Sequence, residues 1–298
     1  MIRTFLFVLT NLSIILIFGL ILSFTSINTG NIFGILIISL IFGFLGSILS
    51  LLMCKWIALY SVNGVVIQSP KNSMEKWLFE IIKKNSKKVN INMPEIAIYH
   101  STDINAFATG AQKNSSLIAV SSSLLQDMNK KDIEAIIAHE ITHIVNGDMV
   151  TMTLIQGITN TFIIFISRIL TKIFCEYLSF NQEKEEINQI INQYQYPYSY
   201  SSLISTTLEA TLGILASMIT MWFSRNREYY ADAGSAKLVG YNNMISALKK
   251  LEKNIKKNEL DIIMTLCING KCHHPFFNLF SSHPPLKMRI NALKKKIY

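Results

Sequence analysis

Charge is scarce in this chain: 16% of its 298 residues are Asp, Glu, Lys or Arg, while half are apolar. An average soluble domain carries about 25% charged residues, so a wholly soluble globular protein is a poor fit. The shortage is concentrated. No charged residue occurs in 5–24 or in 32–54, and the link between them, 25–31, is polar but uncharged. A small-residue cleavage site is missing after the first run, which argues against a removable signal peptide and for an uncleaved helical hairpin. Paired cysteines are missing too. Cys54, Cys175, Cys267 and Cys272 follow no framework spacing, which excludes a small secreted scaffold built on disulfides and leaves free thiols as the expectation.

What is present is a set of segments long enough to cross a bilayer. About 20 helical residues span a ~30 Å hydrocarbon core, and both runs qualify. A third run, 149–167, is interrupted by Thr151, Thr153, Gln156, Thr159 and Asn160, whose polar groups neighbouring helices would have to satisfy. A fourth, 203–223, contains Glu209 about two turns from its start, expected as a carboxylate near the outer interface. The chain then divides into a membrane hairpin (1–54), a polar catalytic region (55–148), two further membrane segments with a polar connecting loop (149–223) and a second polar region (224–298).

Basic residues flank the spans unevenly. Arg3, Lys55, Lys71, Lys76, Arg225 and Arg227 lie on one side, with Arg168, Lys172 and Lys184 opposing them. The balance places both termini and both polar regions in the cytoplasm. Topology therefore accounts for the net charge of +9 without a nucleic-acid partner. The basic runs at 249–257 and 294–296 read as solvated or headgroup-facing helix surfaces. The cluster CINGKCHH at 267–274 holds two Cys and two His, but its spacing fits no common zinc pattern, so Cys267, Cys272, His273 and His274 are taken as an accidental grouping.

The chemistry centres on DIEAIIAHEITHIVNGD, 132–148. Ile133, Ile136, Ile137, Ile141 and Ile144 recur at helical spacing, and Asn129 is a credible N-cap. On such a helix His139 and His143 project from one face one turn apart, so two imidazole nitrogens can reach one zinc ion. Glu140, one step round, suits a carboxylate that takes a proton from the attacking water. A catalytic zinc takes three protein ligands. His283, His100, Glu228 and Asp232 are the candidates for the third, with Glu228 and Asp232 four apart on a predicted helix.

Four stretches sharpen this: NAFATG at 105–110, AHEITHIVNGDMVTMTLIQG at 138–157, SRNREYYADAGSAKL at 224–238 and SHPPLKMRI at 282–290. On them the chain resembles the HtpX family of bacterial membrane metallopeptidases, relatives of the CAAX prenyl proteases. No family motif covers 176–201. The resemblance implies a mainly α fold, with integral membrane helices and a cytoplasmic zincin-like metalloprotease domain carrying a small β-sheet. It implies one Zn2+ per chain, with Glu228 as third ligand, Asp232 bonded to a ligand imidazole and Glu140 as general base.

It also gives NAFATG a role. Asn105, Ala106, Phe107, Ala108, Thr109 and Gly110 would lie at the rim of the sheet, where an extended substrate can pair through main-chain hydrogen bonds. His283, just before Pro284 and Pro285, is more often a turn residue in such a setting, while similar positions in related enzymes make it and Arg289 candidate contacts to substrate or oxyanion. The implied partners are polypeptides, foremost misfolded or damaged membrane proteins, and the lipid bilayer of the cell inner membrane, in protein quality control under stress. The alternatives are a prenyl-protein processing protease and a non-catalytic zinc-binding membrane scaffold.

Overall fold

The structure, a computed structural model, describes residues 32–182, 197–266 and 281–298. The first apolar run and the CINGKCHH cluster lie outside the described residues. The chain packs as two units, Met1–Leu49 with Thr153–Met221 and Ser50–Met152 with Trp222–Tyr298.

In the first unit, helix α1 (Ile32–Val62) buries Ile35, Ser39, Gly43 and Ser47 at intervals of four. Ser39, Gly43 and Ser47 make a small-residue stripe of the kind that lets membrane helices approach closely. A Cβ at Gly43 would come within 2.3 Å of Thr161 Oγ1, so only glycine fits there. The third and fourth runs form helices longer than the apolar text alone: α5 (Asp148–Gln182) and α6 (Pro197–Val239). With α1 they are the three described helices long and apolar enough to cross a membrane. At 1.5 Å per residue α6 far exceeds a ~30 Å core, and its apolar part is 203–223, beyond which its sequence turns polar.

Within α5, Thr161 donates to the carbonyl of Gly157 at 2.8 Å and Gln156 Nε2 donates to Asn160 Oδ1 at 2.9 Å. Glu209 faces the interior of its unit. It is fully buried, its Oε1 accepting from Ser205 and Ser167 at 3.2 and 3.3 Å with Arg168 Nε 3.9 Å away. A countercharge and two hydroxyls stand in for water at Oε1, while Oε2 is buried without a hydrogen-bond partner among the described residues.

The second unit is built on a four-stranded sheet, β1 (Val65–Val66), β2 (Glu95–Tyr99), β3 (Ala106–Gln112) and β4 (Ser115–Ser121), in the order β1-β2-β4-β3. Strands β2 and β4 are parallel; the other pairs are antiparallel. The alternation of side chains across each strand sends Ile96, Ile118 and Val120 into the main core, while Ala97, Tyr99, Leu117 and Ala119 pack on the other face with Leu59, Val62 and Phe107. Strand β3 is an edge.

Against the main core lies α4 (Lys130–Asn146), between α3 (Ser122–Asp127) and α5. Asn129 caps it, accepting from Asp132 N–H at 2.9 Å. Its end is set by Gly147, whose φ of 70° is the left-handed conformation that glycine adopts without strain. Ile133, Ile137 and Ile141 are fully buried, so truncating any one to Ala costs about 2–5 kcal/mol. Helices α2 (Ser73–Lys88), α7 (Tyr241–Leu266) and α8 (Leu286–Lys295) complete the unit, with Leu78, Ile82, Met244, Leu248 and Ile290 joining the same core.

Candidate metal centre

The apolar side of α4 is anchored in the core, which leaves its histidines facing the polar end of α6. That end comes close because residue 234 is glycine: a Cβ there would fall 2.3 Å from Thr142 Cγ2. The close approach brings Glu228 and Asp232, one turn apart on α6, against His139 and His143. All four are buried.

The two imidazoles are oriented by carboxylates on their far nitrogens. Asp148 Oδ2 lies 2.5 Å from His143 Nδ1, and Asp232 Oδ1 lies 3.0 Å from His139 Nδ1. With Nδ1 turned to a carboxylate, each ring presents Nε2 to the same point. The two Nε2 atoms are 3.1 Å apart, and Glu228 oxygens lie 3.4 Å from that of His143 and 3.5 Å from that of His139. Two lone pairs and a carboxylate facing one another repel unless a cation joins them. Ligands about 2.0–2.2 Å from a tetrahedral ion stand roughly 3.3–3.6 Å from each other, which these separations approach. His139, His143 and Glu228 could therefore hold a metal ion, and they are the only such group among the described residues.

Without an ion, protons take its place. Burial works to strip the proton from His139, but Asp232 and Glu228 outweigh it and push the pKa up to about 10. His143 is also raised, burial being overcome by Asp148 and Glu228. Burial penalises the Glu228 carboxylate, yet His139, His143 and His283 hold it well below the usual carboxylate range. Asp232 is likewise lowered, against burial, by Arg289 and His139.

Of the four candidates for a third ligand, the structure brings Glu228 to the two Nε2 atoms and Asp232 to the back of His139. His100 ends β2 exposed and outside the group. His283 sits at the rim, largely exposed, with Nδ1 2.8 Å from Glu228 Oε2. Arg289 is not an open contact for substrate. It is buried, bonded through Nε and Nη2 to both oxygens of Asp232, and its Nη1 lies 3.1 Å from Glu228 Oε2. Asp148 carried no signal in the sequence beyond ending the motif, although an acid just past the last histidine on a glycine-ended helix is placed to fold back onto it.

Glu140 is half-buried, and its Oε2 accepts from the N–H of Ala108 at 2.8 Å. That N–H points away from β4, so by antiparallel alternation the main-chain groups of Ala106 and Ala108 face the free side of β3, while Phe107 and Thr109 pair inward. Asn105 precedes the strand and is pinned by Tyr99 Oη and by Ser121.

Comparison with known proteins bears on this centre directly. The family described as "Peptidase family M48" matches residues 72–297. Protease HtpX of Buchnera aphidicola subsp. Baizongia pistaciae is 57% identical over 298 residues, all of both chains, and Protease HtpX of Wigglesworthia glossinidia brevipalpis is 53% identical over all of this chain and 99% of its own. Among solved structures, S. mikatae Ste24p shares the fold at a TM-score of 0.64 and 21% identity, over 94% of this chain and 62% of that protein. An arrangement of donors suited to a metal, set in a mainly helical fold with a small mixed sheet, is what such relatives lead one to expect: the chain belongs to peptidase family M48 and is a membrane metalloprotease of the HtpX type.

Proposed function

We propose that the protein is a zinc endopeptidase that cuts membrane proteins, foremost misfolded or damaged ones, on the cytoplasmic side of the inner membrane. The observation that carries this is the convergence of two oriented imidazoles and Glu228 beside Glu140. His139, His143 and Glu228 would hold the ion, and Asp148 and Asp232 fix the imidazoles that bind it. A bound zinc supplies Lewis acidity, polarising a carbonyl and lowering the pKa of water. Glu140 takes a proton from the attacking water and returns it to the leaving nitrogen. The outward main-chain groups of Ala106 and the carbonyl of Ala108, whose N–H is held by Glu140, give an extended polypeptide an edge to pair with, independent of its side chains. Asn105 and Gly110 frame that edge, and His283 stands at the rim to meet substrate.

Cytoplasmic placement rests on the basic flanks at Lys55, Lys71, Lys76, Arg225 and Arg227. Membrane substrates follow from a polar region tethered by helices that cross the bilayer. In this reading 1–54 and 149–223 anchor the chain, while 55–148 and 224–298 jointly form the catalytic part.

The test is degradation of an unfolded membrane protein by the purified full chain in detergent, with zinc and with a chelator, beside a farnesylated CAAX peptide. Zinc-dependent loss of the unfolded protein with the peptide left intact is the expected result. Cleavage of the peptide alone would replace this reading by the prenyl-processing one.

A further inference from the structure

A groove of about 480 Å3 opens beside His143. One wall is β3 from Ala108 to its end and the Lys113 turn; the other is the corner where α4 gives way to α5, with Ile144, Met149 and Val150. The corner carries no side chain at Gly147, and the stem of Lys113 lies across it, its Cε 3.7 Å from where a Cβ of residue 147 would be. Most of the exposed lining is apolar. Lys113 is the one Lys, Arg, Asp or Glu among the lining residues.

The groove is continuous with the metal centre through His143 and follows the strand to which a substrate would pair. Its occupant is thus a flank of the same polypeptide. We propose that it reads sequence on one side of the cut, taking an apolar side chain against Ile144, Met149 and Val150 and, farther along, an Asp or Glu facing Lys113. This rests on the endopeptidase reading. Ala108, whose N–H meets Glu140, and Lys113 are five positions apart, and an extended partner advances at the same ~3.3 Å per residue. The acidic position therefore lies roughly three to five residues from the scissile bond.

The experiment digests a mixture of denatured proteins with the full chain in detergent and zinc, and reads the cut sites by mass spectrometry. Wild type is expected to enrich Asp and Glu over Lys and Arg about two- to fivefold at one position in that window, the scale of an exposed ion pair. Lys113→Gln removes the enrichment and Lys113→Glu inverts it toward Lys and Arg. Lys87→Glu, the same charge change on exposed α2, leaves it as in wild type. Val150→Trp, which narrows the groove, shifts the residue nearest the cut toward smaller side chains. The proposal is overturned by wild-type cuts without acidic enrichment, by Lys113→Glu cutting as wild type does, or by Lys87→Glu shifting the preference equally. Cuts that depend on Glu140 but show no such preference sink this proposal alone; no zinc-dependent cuts at all sink the endopeptidase reading with it.

Discussion

Helix α6 carries two buried glutamates nineteen positions apart, Glu209 in the apolar unit and Glu228 in the polar one, each at most 1% exposed. Their surroundings differ in kind. Glu209 meets two hydroxyls that donate hydrogen to it and a guanidinium that balances its charge from 3.9 Å. Such a group ties helices together, and among the described residues no imidazole or second carboxylate joins it in a group that could share an ion. Glu228 also has donors beside its Oε2, from Arg289 and His283, but in addition it meets two imidazoles whose far nitrogens are turned to Asp148 and Asp232, which leaves two Nε2 atoms beside it able to share an ion. Burial alone does not make a carboxylate a ligand; the hydrogen-bonding state of its neighbours does.

That contrast breaks most visibly if Glu140 or Glu228 is replaced. Glu140→Gln keeps the size of the side chain and all three donors, so metal content should stay at wild-type level while cleavage falls by about 10²–10⁴; wild-type turnover would remove Glu140 as the base. Glu228→Ala should lower metal affinity by about a hundredfold or more, above the effect of losing an outer partner. Full occupancy in competition with a chelator would send the search for the third ligand elsewhere. Next come the groups behind the imidazoles. Asp148→Asn and Asp232→Asn should each weaken metal binding about 10–100-fold, and affinities equal to wild type would mean that the ring orientations are held by packing alone.

The proton on His139 gives a smaller, graded effect. Its pKa stands near 10 in the metal-free protein, above the ordinary value of about 6.5, so an ion binding near pH 7 must displace it. Affinity should rise about tenfold per pH unit between pH 7 and 9 for one proton released. The metal-free fold runs the other way. A raised pKa stabilises fully below about 6.5 and loses that contribution as pH climbs toward 10, so its melting temperature should fall over the same range. Titrations giving a pH-independent affinity would contradict the charge assignment around His139.

Much of this was legible in the sequence, and the reasons are local. Isoleucines at helical spacing, Asn129 as cap and the four-residue step from His139 to His143 depend on one helix only. Glu228 and Asp232 were recognisable as a pair with the same step. The sheet order and the edge position of β3 follow from long-range pairing, which residues 95–122 do not encode by themselves. The bidentate hold of Arg289 on Asp232 joins elements 57 positions apart, and from text alone Arg289 could only be placed near a histidine and two prolines. The partners of Glu209 were not legible, because distance from a span's start measures depth in a bilayer and says nothing of which helix face the side chain takes.

The smallest effect bears on Glu209 itself. Glu209→Gln retains an oxygen for Ser167 and Ser205 and loses only the charge beside Arg168, 3.9 Å away. Since hydroxyl donors do not demand a charged acceptor, the apolar unit should lose about 1–2 kcal/mol at most, and metal affinity should not change. Glu209→Ala, which removes the acceptor and leaves two buried hydroxyls to find others, should cost more in thermal unfolding while still binding metal as wild type does. If Glu209→Gln instead emptied the metal centre, the two glutamates of α6 would be parts of one device, and the division between a tying group and a ligand would fail.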